Sequence, residues 1–190
     1  KIVNIEGSNI IITGAANGIG KALSVSFAEM GGRVAAIDLS IDGLEELKKT
    51  NPNISIYECD ISVSDAVQHV IDDICKDFSS IDILINNAGI MHSAPIVKIG
   101  EKGFESHDFA EWDKVLSVNL SGYFYITTCV LKKMVSDRTK GLLINFSSIS
   151  AQGNAGQSAY AASKAGVEAL TKTWAKELGY LGIRSAAIAP

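Results

Sequence analysis

Tyr160 and Lys164 stand four positions apart in SAYAASKAG, residues 158–166, where no other side chain is larger than that of serine. On a helix, positions i and i+4 share a face a few ångströms apart. A free phenol ionises at about pH 10, and an ammonium on the same face favours the phenolate. The pair is therefore a candidate general acid/base able to work near neutral pH. Taken alone, it is equally an ordinary tyrosine and lysine on a helix surface.

A second chemical signal lies near the start. ITGAANGIGKAL, residues 12–23, spaces Gly14, Gly18 and Gly20 as G-x-x-x-G-x-G, between an apolar run and a helical pattern. Glycines there permit a tight turn and let backbone N–H groups approach a pyrophosphate, which the positive end of the following helix then favours. Asn17 and Ile19 belong to the same candidate nucleotide-binding turn. Asp38 ends the next apolar run, and a carboxylate there accepts hydrogen bonds from both adenosine ribose hydroxyls but repels a 2′-phosphate. Its neighbours in this reading, Asn17 and Leu39, are not basic, so NAD is expected in preference to NADP. The competing reading makes Asp38 a helix N-cap, a role that Ser40 can also fill. Asp60 and Ile61, in CDIS (59–62), are expected at the adenine edge; alternatively Asp60 or Ser62 caps the helix that follows.

These residues need a scaffold. Apolar, β-branched runs at 8–13, 33–38, 54–59, 81–86, 141–147 and 183–189 read as strands buried on both faces of a parallel sheet. Helical patterns at 18–30, 41–50, 64–78, 109–135 and 157–179 alternate with them. The expected class is α/β, a Rossmann-like doubly wound parallel sheet with helices on both faces, forming a single domain over 1–190. Residues 89–108 read as a long loop leaving the carboxyl end of the fourth strand, where open α/β sheets bind ligands.

Composition narrows the function classes. Of 190 residues, 47% are hydrophobic and 20% charged, and the net charge of −4 gives no bulk attraction to nucleic acid or an acidic membrane. No apolar run approaches the roughly eighteen residues of a membrane span, and no secretory signal opens the chain. Cys59, Cys75 and Cys129 are scattered and odd in number, which fits free thiols in a reducing, cytoplasmic setting. His69, His92 and His107 lack ligand spacing, so no metal site is expected.

Five motifs occur in order: TGAANGIG (13–20), NNAG (86–89), SVNLSG (117–122), NFSSIS (145–150) and YAASK (160–164). Together they resemble the short-chain dehydrogenase/reductase family, over residues 8–190. The resemblance implies hydride transfer between a nicotinamide cofactor and a secondary alcohol or ketone, with Tyr160 as acid/base. Lys164 would favour the phenolate and bond the nicotinamide ribose. Asn119 would hold a water linking Lys164 to solvent, and a serine after the fifth strand would polarise the reacting oxygen. Ser147 has the commoner spacing to Tyr160. Ser148 matches the second serine of the family's usual pair if one residue is missing from 149–157, and it is the assignment made here. Asn87, Ala88 and Gly89 would line the cofactor site, as would Pro190.

The resemblance further implies a homodimer or homotetramer, and a small-molecule substrate for which SSISAQGNAGQSAYAASKAG (147–166) looks most like the 3-oxoacyl and 3-hydroxyacyl branch. Family members continue past the sixth strand into a substrate lid and a seventh strand. If Pro190 were the terminus, the sixth strand would be an exposed edge. The alternative function is a dinucleotide-binding sensor or scaffold without turnover.

Overall fold

A computed structural model describes residues 4–101 and 103–190; the expected single domain and the expected loop 89–108 therefore include positions outside the described residues. Six parallel strands form the main sheet: β1 (Asn9–Thr13), β2 (Arg33–Asp38), β3 (Ile54–Glu58), β4 (Ile83–Asn86), β7 (Leu142–Phe146) and β8 (Arg184–Ile188), in the order β3-β2-β1-β4-β7-β8. Every residue of β1 and β4 is buried, the pattern of strands covered on both faces. The order reverses between β1 and β4. That creates a crevice at the carboxyl ends of the strands, where such sheets take ligands. β8 forms one edge and is exposed along most of its length.

Helices cover both faces, as expected. On one side α1 (Gly18–Glu29) and α2 (Ile41–Lys48) press Ala28, Leu44 and Leu47 onto Ile10, Ile12, Val34 and Ile85. On the other, α3 (Ser64–Asp77), α5 (Tyr123–Ser136) and α6 (Ser158–Leu178) bring Val67, Ile71, Ile126, Val130, Val167 and Trp174 onto Ile11, Leu84 and Leu143. Each fully buried Ile or Leu contributes about 1.5–3 kcal/mol relative to exposure.

Two segments depart from the sequence expectation. The stretch 89–108 is not a plain loop. It carries an antiparallel hairpin, β5 (Val97–Gly100) with β6 (Gly103–Ser106), pairing Ile99 with Phe104 on one face and Lys98 with Glu105, an ion pair at 3.3 Å, on the other. The period-two alternation is present in the sequence, but the strands are only four residues long. The expected helix 109–135 is also interrupted: α4 (Phe109–Leu116) leads into a π-helical turn at Ser117–Gly122 before α5 begins. An apolar pattern does not distinguish α from π winding, because both keep the same side chains roughly inward.

Candidate active site

The Gly-rich turn joins β1 to α1. Gly14 has φ +67°, and a Cβ on it would lie 2.6 Å from the Cα of Ala88. A Cβ on Gly20 would lie 2.0 Å from the carbonyl oxygen of Gly14. Both positions thus demand glycine so that turn, helix and β4 end can close on one another. Gly18 opens α1 at φ +52°. The turn is tied to β4 by Asn87, whose Nδ2 donates to the carbonyls of Thr13 and Gly14 at 3.1 Å each, while Thr13 Oγ1 accepts from the N–H groups of Asn87 and Ala88. Thr13 was not singled out from sequence. The signal available was a hydroxyl that closes the apolar run Ile10–Ile12.

A cavity of about 400 Å³ opens beside this turn. Gly14, Asn17 and Ile19 line it from the first crossover, and Asp38, Asp60 and Ile61 from the ends of β2 and β3. Asn87, Ala88 and Gly89 line it from the end of β4, with Val118 reaching in from the π turn. Gly18, Gly20 and Pro190 are not among the lining residues; the first two shape the turn, and Pro190 follows β8. The start of α1 carries no side-chain cap and no acidic residue in its first turn, so its N–H groups stay open to an anion. The Asp38 carboxylate accepts from Ala16 N–H at 2.9 Å and Ser40 N–H at 3.0 Å, keeping further lone pairs for a ligand hydroxyl. Ser40, not Asp38, caps α2, and its Oγ accepts from Gly43 N–H. Asp60 bonds Ser62 and neither caps α3, whose N-cap position is Val63. These residues fit a dinucleotide: an open helix end for phosphate and a carboxylate for a ribose.

The remaining candidates gather where β4, β7, the π turn and α6 meet. Asn119 is fully buried in the π turn, and its amide grips Ile90, accepting from its N–H and donating to its carbonyl, both at 2.8 Å. Asn119 Nδ2 also reaches Ser163 Oγ, which itself donates to the Tyr160 carbonyl. A Cβ on Gly89 would lie 3.4 Å from Asn119 Oδ1 and 3.6 Å from Lys164 Nζ, so both side chains stand beside Gly89, which lines the cavity. Lys164 is 3% exposed, donates to the Phe146 carbonyl at 2.6 Å and lies 5.8 Å from the centre of the Tyr160 ring. Burial pulls its ammonium down to about 8.

Of the two serines, Ser147 is buried and donates to Glu168 Oε1 at 3.0 Å, within a separate groove beside β8. Ser148 opens the 3₁₀ turn Ile149–Gln152, which packs on α6, and among the described residues its Oγ accepts only the N–H of Ser150, at 3.2 Å. Sequence reasoning missed Tyr123, whose hydroxyl touches Lys164. It also missed the buried chain Thr127–Asn86–Asn145–Thr171 that locks β4 to β7 behind the site. Among the described residues no group of His, Cys, Asp or Glu is arranged to hold a metal ion, and no helix is long and apolar enough to cross a membrane.

The family profile described as short chain dehydrogenase matches residues 8–190. The chain is 40% identical to the 3-oxoacyl-(acyl-carrier-protein) reductase of Thermotoga maritima, covering 99% of this chain and 75% of that protein. It is 35% identical to the (3R)-3-hydroxyacyl-CoA dehydrogenase of Canis lupus familiaris, covering 99% and 74%. The crystal structure of an NAD+-bound xylitol dehydrogenase superposes with a TM-score of 0.90 at 29% identity, covering 99% of this chain and 71% of that one. These matches support a nicotinamide cofactor and give no support to a binder without turnover. With its Rossmann-like sheet and a site built at the sheet's carboxyl edge, this chain belongs to the short chain dehydrogenase family and is a hydride-transfer oxidoreductase acting on CH–OH groups.

Proposed function

We propose that residues 1–190 form one NAD-binding domain that interconverts a 3-hydroxyacyl and a 3-oxoacyl substrate. The observation that carries this reading is the approach of Asn119 and Lys164 to Gly89, which lines the same cavity as Asp38. Asp38 binds the ribose hydroxyls and disfavours a 2′-phosphate, and the open start of α1 takes the pyrophosphate. The bound nicotinamide supplies the hydride chemistry. Tyr160 exchanges a proton with the substrate oxygen, Ser148 donates a hydrogen bond to that oxygen, and Lys164 stabilises the phenolate by its charge. Asn119 keeps the Gly89–Ile90 backbone against Lys164, and its remaining Oδ1 lone pair is available to a relay water. The two acyl-substrate relatives support the substrate class. A cytoplasmic location fits three free cysteines.

We place a homodimer contact on the groove between α5 and α6. Phe124, nearly half exposed, lines it with Leu120, Gly166 and Leu170. Sedimentation of Phe124→Glu against the parent chain tests this contact, and an unchanged oligomeric state would remove it.

Tyr160→Phe keeps the ring and removes the exchangeable proton. With NAD and a 3-hydroxyacyl thioester, turnover is expected to fall by about 10²–10⁴-fold, while NADH binding, followed by nicotinamide fluorescence, persists. Undiminished turnover would overturn the role of Tyr160. Turnover of polyols but no hydroxyacyl thioester would overturn the substrate class.

A further inference from the structure

Lys164 is a buried cation without a carboxylate. Among the described residues none of the ion pairs involves it. Its surroundings come from four directions. β7 offers the Phe146 carbonyl at 2.6 Å, and α5 offers the Tyr123 hydroxyl at 3.4 Å with the ring centre at 5.1 Å. α6 itself offers Tyr160, and the wall beyond is formed by Asn119 and Gly89, neither of which titrates. Glu168, one turn further along α6, is turned to Ser147.

Tyr123 is fully buried in the apolar layer that includes Ile126 and Val130. Lys164 is the only hydrogen-bond partner of its hydroxyl among the described residues. A phenylalanine would fill that space without the cost of desolvating a hydroxyl, so packing alone does not account for a tyrosine. Burial pushes the ionisation of Tyr123 upward, which keeps it a neutral phenol whose oxygen can accept from a cation.

We infer that Tyr123 is a positioning residue for Lys164: its hydroxyl oxygen accepts one ammonium N–H and its ring face sits near the charge, while the Phe146 carbonyl takes a second N–H. One N–H then remains uncommitted for the cofactor and Tyr160. Two tyrosines thus share one lysine in different roles. Tyr123 keeps the lysine charged and in place from the core side. Tyr160, partly buried on the other side, does the proton exchange. The inference rests on the proposed function for its catalytic consequence, but the interaction itself does not depend on turnover.

The test is a pH titration of the lysine side chains by ¹³C NMR in the parent chain and in Tyr123→Phe, with the Lys164 resonance assigned by its loss in Lys164→Arg. Removing the acceptor is expected to lower the Lys164 midpoint from about 8 by roughly half a unit to one unit. Turnover is then expected to drop about two- to fivefold at pH 8 and hardly at all at pH 6, as the charged fraction dictates. A variant that merely loosened packing would lose turnover equally at both. A Lys164 midpoint unchanged in Tyr123→Phe overturns the inference. If the parent chain turns over no alcohol, the functional reading fails, and the titration still decides the role of Tyr123.

Discussion

The side-chain amide of Asn119 pairs with both backbone groups of Ile90, two bonds of 2.8 Å, as a neighbouring strand would. The π turn makes this possible by carrying Asn119 to the chain segment that leaves β4. Asn119→Ala would leave two backbone groups short of partners in a partly buried place, at a cost of about 2 kcal/mol. The expected outcome is a lowered denaturant midpoint together with loss of turnover. A midpoint equal to that of the parent chain would show that water replaces the amide at no cost.

Ser147 and Ser148 are expected to separate stability from chemistry. Ser147→Ala breaks the bond to Glu168, which should lower stability by about 1 kcal/mol and leave kcat within a factor of about two. Ser148→Ala should lower kcat by about 10²–10³-fold with little change in Tm, as for loss of a donor to a reacting oxygen. Comparing kcat and Tm of both variants checks the assignment, and the reverse pattern would transfer the catalytic role to Ser147.

Asp38→Ala should weaken NADH binding and narrow the difference from NADPH, because the variant loses both the ribose acceptor and the charge facing a 2′-phosphate. Fluorescence titration of the parent chain should give tighter NADH than NADPH binding. Equal affinities before and after substitution would remove Asp38 from cofactor selection. Some loss of stability is also expected, since the carboxylate holds the N–H groups of Ala16 and Ser40.

Lys164 makes stability depend on pH in a defined window. Its folded value of about 8 lies below the 10.5 of a free lysine. Between those values the unfolded chain binds the proton that the folded chain has released, so stability rises with pH there. Below about pH 8 both states are protonated and the contribution is constant. Against Lys164→Met, whose other differences do not titrate, the parent chain should therefore gain on the order of 3 kcal/mol between pH 8 and 10.5. Urea unfolding of the pair at pH 7, 9 and 10 reads this directly. A difference flat across the range would mean that Lys164 is not buried as a cation.

Elements set by local patterning were legible in the chain alone. Short, β-branched apolar runs such as Ile10–Ile12 and Ile83–Ile85 read as strands covered on both faces, and their alternation with amphipathic helices allows few topologies. The Gly14, Gly18 and Gly20 spacing marked the crossover turn for the same reason: the demand for glycine is a property of the backbone there. Tyr160 and Lys164 were readable as a pair because a helix fixes the distance between positions four apart.

What depended on contacts between distant segments was not legible. The paired strands Val97–Gly100 and Gly103–Ser106 are short enough that their alternation carries little signal. The π turn uses the same apolar pattern as an α-helix, yet it decides what the Asn119 amide can reach. The bond that holds the Ser147 hydroxyl depends on Glu168, 21 positions away, and the setting of Lys164 on Tyr123, 41 positions away. The sequence by itself determined the sheet, its helices, the glycine turn and the four-residue spacing of Tyr160 and Lys164, because each follows from local periodicity or steric demand. Only the tertiary structure decided how Lys164 is held, what Asn119 grips and which serine hydroxyl is spent elsewhere, because hydrogen bonding and burial depend on which remote groups the folded chain brings within about 3 Å.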